Sequence, residues 1–286
     1  MGAPQVDAVE FRSGQRRDWN TAAKGWHEWQ ELIHGATAGV SERLVEMAGI
    51  KPGDRVLDVA AGSGEPSLTA ARAVGSDGEV VATDISPEML AYGRERAEAA
   101  GIDNIEFVEA DASSLDYPPE SFDAALSRWG IIFEPEAEAA AARVRRFLEP
   151  GARMAISSWG PPERVPMLGV PMRTVMTRLG TEPPPPGTPG PLSRPTRDAI
   201  SAVLEGGGFD DVNVDELEVE FEWDSPEEFA RFVREIAPPI NAMLADRPRD
   251  VRDETWAAVA EAARGHAGTD GRVRMTNLAL LAAGRA

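Results

Sequence analysis

Hydrophobic and polar positions follow two rhythms along this chain, and the change between them divides it. From Ser41 onward, short apolar runs alternate with segments of helical spacing. Arg55 to Val59, Glu79 to Asp84, Asn104 to Ala110, Phe122 to Ser127 and Ala152 to Ser158 have the length and near-continuous apolar character of buried strands. Ser41 to Ala48, Pro66 to Val74, Ser86 to Ala100 and Glu136 to Leu148 read as helices. Ser86-Pro87-Glu88 is a clear helix start, because a serine oxygen accepts an unpaired N–H and proline is tolerated where no intrahelical bond is lost. Strands and helices alternating at this spacing imply a mostly parallel sheet covered on both faces, a doubly wound α/β architecture.

After Trp159 the rhythm changes. Residues 161–195 hold eleven prolines, including Pro183 to Pro186, around a helical pattern at Arg164 to Leu179. Such a stretch is stiff and locally extended. Thr196 to Glu205 reads as a helix and Val212 to Trp223 as a long strand. Ser225 to Ile236, Pro239 to Ala245 and Arg249 to Arg264 follow as helices, and Arg272 to Gly284 as a last strand. The expected organisation is a lid helix within 1–40, a core at 41–160, a proline-rich cap segment at 161–195, and a C-terminal part at 196–286. That last part completes the sheet and carries a helical insertion at about 225–265.

Composition narrows the function. No apolar run approaches the roughly 20 residues of a membrane span, and Met1 to Trp19 lacks the apolar stretch of a secretory signal. The chain is therefore expected to be cytoplasmic and not inserted in a membrane. The absence of cysteine excludes disulfides, thiolate metal sites and a cysteine nucleophile, and no metal site is expected. A net charge of −19 repels phosphate backbones, which argues against a nucleic-acid partner.

The sharpest chemical signal is Asp58-Val59-Ala60-Ala61-Gly62-Ser63-Gly64-Glu65, a glycine turn directly after the first strand. Glycines there let a ligand lie against the backbone. Asp84 ends the second strand, where a carboxylate can accept from both hydroxyls of a ribose. Together they suggest an adenosine-containing ligand. Asp58 and Glu65 beside the turn disfavour a pyrophosphate and favour a cationic ligand, such as a sulfonium with an ammonium group.

Arg55 to Gly64 resembles the first motif of class I S-adenosylmethionine-dependent methyltransferases, D-x-x-x-G-x-G. The resemblance continues through Asp84 to Met89, Glu109-Ala110-Asp111-Ala112, Ser121-Phe122-Asp123 and Leu148 to Gly151, and covers roughly residues 41–160. It is similar in flavour to the ubiquinone/menaquinone-biosynthesis branch of small-molecule methyltransferases. Trp19 to Ala23 and Trp26 resemble that branch's N-terminal helix, although tyrosine is commoner where Trp26 stands. The resemblance implies a seven-stranded, Rossmann-like sheet with its last strand antiparallel and a helical substrate cap. It also implies S-adenosylmethionine as cofactor and S-adenosylhomocysteine as product. Carried over by position, Asp58, Ala60, Gly62, Ser63 and Gly64 would border the methionine part. Asp84 would hold the ribose, Ile85 and Met89 would flank the adenine, and Asp111 and Ala112 would read its amino edge. Ser127 would face the sulfonium end.

Methyl transfer by in-line displacement asks the protein mainly to align the acceptor and exclude water. The acceptor pocket is expected beyond the strand ends, lined by Trp26, Trp29, Arg128, Trp129 and Trp159, which favours a small apolar or aromatic acceptor. His27 and His34, seven residues apart and so on one face of a single helix, are the candidate general bases. Two alternatives stay open: a nicotinamide-dependent oxidoreductase on a related sheet, and a protein that binds S-adenosylmethionine without catalysis. Oligomeric state is not legible.

Overall fold

The computed structural model describes residues 8–185 and 187–286. Met1 to Asp7 and Pro186, parts of the expected lid and proline-rich segments, lie outside the described residues.

Seven strands form one sheet: β1 (Arg55–Val59), β2 (Glu79–Asp84), β3 (Ile105–Glu109), β4 (Phe122–Arg128), β5 (Leu148–Trp159), β6 (Asp210–Trp223) and β7 (Val273–Arg285). Their order is β3-β2-β1-β4-β5-β7-β6. β1 pairs in parallel with both β2 and β4, and only β7 runs against its neighbours β5 and β6. The sheet is the expected doubly wound, seven-stranded one with its last strand antiparallel.

β1 is buried from Val56 to Val59 because both faces are covered. Val56 packs with Val40 and Leu44 on one side of the sheet, while Leu57 packs with Val81, Val144 and Ile200 on the other. The helices follow the strands: α3 (Ser67–Val74), α4 (Pro87–Ala99) and α5 (Ala137–Arg145), then α6 (Pro166–Leu179) and α7 (Arg197–Gly206). α4 begins as its sequence predicts, with Ser86 Oγ accepting from Met89 N at 3.1 Å. β1 has its two neighbours reached by crossovers in opposite directions, so the crevice over its carboxyl end is where such sheets bind ligands.

The N-terminal region departs from expectation. Two helices stand there, α1 (Ala8–Glu28) and α2 (Gln30–Met47), separated at Trp29. The break removes the single helical face that was to carry His27 and His34 together. α2 also absorbs the short helix expected at Ser41 to Ala48.

Between β6 and β7 the chain forms α8 (Pro226–Ile236), α9 (Pro238–Leu244) and α10 (Arg249–Ala263). Phe229, Phe232 and Val233 of α8 recur at helical spacing and are all buried. They meet Phe221 and Trp223 of β6 and Trp256 of α10 in one apolar cluster. Each fully buried ring of this kind contributes about 1.5–3 kcal/mol of transfer free energy. α8 touches α1 so closely that a Cβ on Gly25 would lie 2.3 Å from the Glu235 carbonyl oxygen.

Candidate active site

A cavity opens over the carboxyl ends of β1, β2 and β4 and runs from the glycine turn to the helices α6, α8 and α9. Its two halves are built differently.

The half over β1 and β2 is made largely of backbone. Gly64 has φ +101, a conformation side chains resist, and an added Cβ would meet Gly93 Cα and Leu68 at 3.4 Å. Gly130, after β4, leaves no space either, since a Cβ would come 2.4 Å from Ala60. Ala60 and Trp129 are themselves in left-handed conformations, φ 60 and 52. Bulky residues adopt such backbone only under constraint, and that constraint commonly marks a functional site. Here Trp129 N donates to Ser157 Oγ at 3.0 Å, and Ile131 N donates to Ser127 Oγ at 2.9 Å, which together hold the turn.

Asp84 lines this half with its carboxylate already oriented. Oδ2 accepts from Gly62 N and Oδ1 from Ser86 N, both at 2.8 Å. Burial pushes its carboxyl up to about 6 against the lowering effect of these N–H groups. Ala60, Gly62, Ser63, Ile85, Met89, Asp111 and Ala112 line the same region. Asp111 is engaged as well: Oδ1 accepts from Ser113 N at 2.7 Å, and Oδ2 stands 3.2 Å from Arg12 Nε of α1. Arg16 pairs with Glu109, and Ser86 Oγ donates to Asn20 Oδ1 at 2.6 Å, so α1 lies across this end of the site.

Three expected cofactor residues stand behind the wall rather than on it. Asp58 is fully buried under the turn, bonded to Ser67 Oγ, with Oδ1 unpartnered. Burial raises its carboxyl to about 7. Gly64 shapes the turn from beneath, and Ser127 spends its hydroxyl on the β4 turn instead of facing a ligand. Glu65 does line the cavity, but it is not a free negative charge. Arg96 stands 3.5 Å from it, and Thr69 Oγ1 donates to it at 2.7 Å. The local acidity read from Asp58 and Glu65 is therefore largely cancelled.

The other half is made of side chains. Trp129 and Trp159 stack at 4.3 Å, and Trp19 meets Trp26 and Phe133 edge to face. Trp26 Nε1 donates to the Ile236 carbonyl at 3.0 Å, tying α1 to the end of α8. Ile33, Met167, Met172, Phe221, Phe232 and Ile240 close the chamber. Trp26, Arg128, Trp129 and Trp159 line the cavity. Trp29 does not: its ring packs on Phe232 outside the cavity lining, and Nε1 donates to Glu235 at 2.6 Å.

Neither His27 nor His34 lines the cavity. His27 stacks on Tyr92 at 4.1 Å, and neither ring nitrogen of His34, on α2, has a partner. Burial, then the charges of Arg96 and Arg128, push His34 down to about 2. Besides Asp84, Glu134 is a lining group poised near neutrality: burial and Asp111 raise its carboxyl to about 7, opposed by Arg12. Sequence reading missed Glu134 and Arg12 because their meaning depends on Asp111, which is distant in sequence from both.

Residues 56–151 match the methyltransferase domain family Methyltransf_25. The chain carries a class I S-adenosylmethionine-dependent methyltransferase domain. The domain is 34% identical over 139 residues to the ubiquinone/menaquinone biosynthesis C-methyltransferase UbiE of Teredinibacter turnerae, covering 46% of this chain and 56% of that protein. It is 41% identical over 116 residues to an uncharacterized protein of Mycobacterium tuberculosis, 41% of either chain. The methyltransferase domain thus accounts for about half the length of the curated relatives it matches. Beyond the domain, the crystal structure of the YcgJ protein from Bacillus subtilis covers 86% of this chain and 97% of its own at TM-score 0.54 and 19% identity, a likeness of fold alone.

Proposed function

We propose that this chain is a methyltransferase that uses S-adenosylmethionine to methylate a small apolar or aromatic molecule at O, N or C. The observation that carries the reading is a single cavity with a backbone-walled half beside a ribose-type carboxylate and an aromatic half beside it. The wall fits the cofactor in kind: Gly62 and Ala60 leave room against the backbone, and Asp84 keeps acceptor capacity beyond its backbone N–H bonds. Ile85 and Met89 offer apolar contact to a base, with Asp111 and the Ala112 N–H at its edge.

Bound there, S-adenosylmethionine supplies an electrophilic methyl group, so no enzyme nucleophile is required. This chain's residues would orient the acceptor and exclude water. Trp129 and Trp159 present a flat wall, and the chamber formed by Ile33, Met167, Met172, Phe221, Phe232 and Ile240 carries no titratable side chain. An acceptor that arrives protonated would therefore lose its proton to Glu134 or to solvent, not to His27 or His34. The test is incubation of the purified chain with methyl-labelled cofactor and a panel of apolar phenols, amines, carboxylic acids and carbon acceptors such as quinols. Label transfer to at least one supports the reading. Tight cofactor binding without transfer to any member favours a non-catalytic binding protein.

A further inference from the structure

One buried charge in the cavity wall lacks a direct ion pair. Arg128 ends β4, is 8% exposed, and lines the cavity where its two halves meet. Nη1 donates to Thr37 Oγ1 at 2.7 Å and Ser41 Oγ at 3.1 Å, both neutral hydroxyls of α2. Nε has no partner, and among the described residues no carboxylate comes within ion-pair distance. Glu65 and Asp58 attract the guanidinium only from beyond ion-pair distance, Glu65 being bonded to Arg96 and Thr69, and Asp58 to Ser67 beneath the turn. The indole of Trp129, 5.3 Å from the guanidinium carbon, adds a weak attraction but no charge. A guanidinium taken from water and left without an anion is costly. It is relieved most directly by a carboxylate, whose two oxygens match the guanidinium fork.

We propose that Arg128 is a carboxylate receptor, with the carboxylate brought into the cavity either by the amino-acid end of the cofactor or by an apolar carboxylic acid as acceptor. The proposal rests on the functional reading above and names the anion that the site requires. Thr37 and Ser41 are the positioning residues, because they hold Nη1 of the guanidinium.

Calorimetry on the wild-type chain separates the two sources. If the cofactor brings the anion, S-adenosylhomocysteine binds about 10–100-fold tighter than its decarboxylated analogue, which keeps the ammonium group. Arg128→Met then erases that preference while leaving the analogue's affinity unchanged. If the acceptor brings it, both nucleosides bind alike, and benzoate or decanoate binds the chain where the matching alcohol does not. Arg128→Met then removes binding of the acid. Arg128→Lys keeps the charge and retains part of the preference, and Thr37→Val weakens it without deleting the cation. No preference for a carboxylate in either arm, or one that survives Arg128→Met, overturns the proposal. Failure of both nucleosides to bind wild type would instead overturn the functional reading, and the carboxylic acids would still decide the role of Arg128.

Discussion

The two halves of the cavity are built by opposite means. Over β1 and β2 the wall is backbone, drawn from 55–64 and 84–89, and Asp84 there is held by the N–H groups of Ser86 and of the glycine turn at Gly62. Across the chamber the wall is side chains, gathered from α1, α2, β5, α6, β6, α8 and α9. Trp26 and Ile236, joined by one hydrogen bond, are 210 residues apart. A site made from a local turn tolerates change elsewhere in the chain but little within the turn. A site made from distant side chains can change its ligand by substitution without disturbing the turn. That division fits one cofactor shared among many acceptors.

The comparison can be broken first at Asp84. Asp84→Ala is expected to weaken S-adenosylhomocysteine by about 10–100-fold in calorimetry, because charge-assisted bonds to a ribose are lost. The cap should remain folded, with unchanged near-ultraviolet signal from its tryptophans. The same carboxylate gives a pH dependence: with its carboxyl at about 6, cofactor affinity falls as pH is lowered through 6 and is flat above 7.

The seam between the halves is tested at Gly25. Gly25→Ala puts a methyl group into the Glu235 carbonyl and should destabilise the chain by about 1–3 kcal/mol in urea titration. Acceptor turnover should suffer more than cofactor affinity. Equal loss of both would mean that the cap and the turn are one unit.

His34 supplies a third test. Held at about 2 when folded and near 6.5 when unfolded, its ring binds more protons in the unfolded chain between those limits. Folding stability from this residue is therefore full above pH 6.5 and is lost below it by about 1 kcal/mol per pH unit. The raised carboxyls of Asp58, Asp84 and Glu134 act in the opposite sense, gaining stability as pH falls. The readout is thus the difference between wild type and His34→Leu, which should narrow as pH falls from 6.5 to 5. A constant difference contradicts the buried neutral ring. The smallest expected effect is Trp26→Phe, about 0.5–1.5 kcal/mol for the lost bond to Ile236, with a raised KM for acceptor and an unchanged Kd for S-adenosylhomocysteine.

The same contrast decides what was legible in the sequence. The strands, the capped start of α4 and the turn at 58–65 are short-range features, so periodicity and cap chemistry report them directly. Asp84 could be placed by its distance from the turn. Ser127 and Trp29 could not, because a hydroxyl or an indole at a boundary can turn toward a ligand or toward its own backbone, and packing chooses. His27 and His34 stand off the cavity lining, on two helices divided at Trp29, a division that periodicity across 20–40 does not reveal. The chamber was foreseen only as tryptophans near strand ends. Phe232, Met167 and Met172 carry the pattern of ordinary core residues, and only the fold turns them toward a cavity.

The measurement that meets the central claim most directly is thermal unfolding with S-adenosylmethionine, S-adenosylhomocysteine and NADH in parallel. A ligand at a hundred times its dissociation constant adds about 2.7 kcal/mol, a shift of a few degrees for a chain of this size. That shift is expected with the two sulfur nucleosides, cut to about 0.4–1.4 kcal/mol in Asp84→Ala, and none with NADH. A shift with NADH alone would contradict it and make the cavity a dinucleotide site.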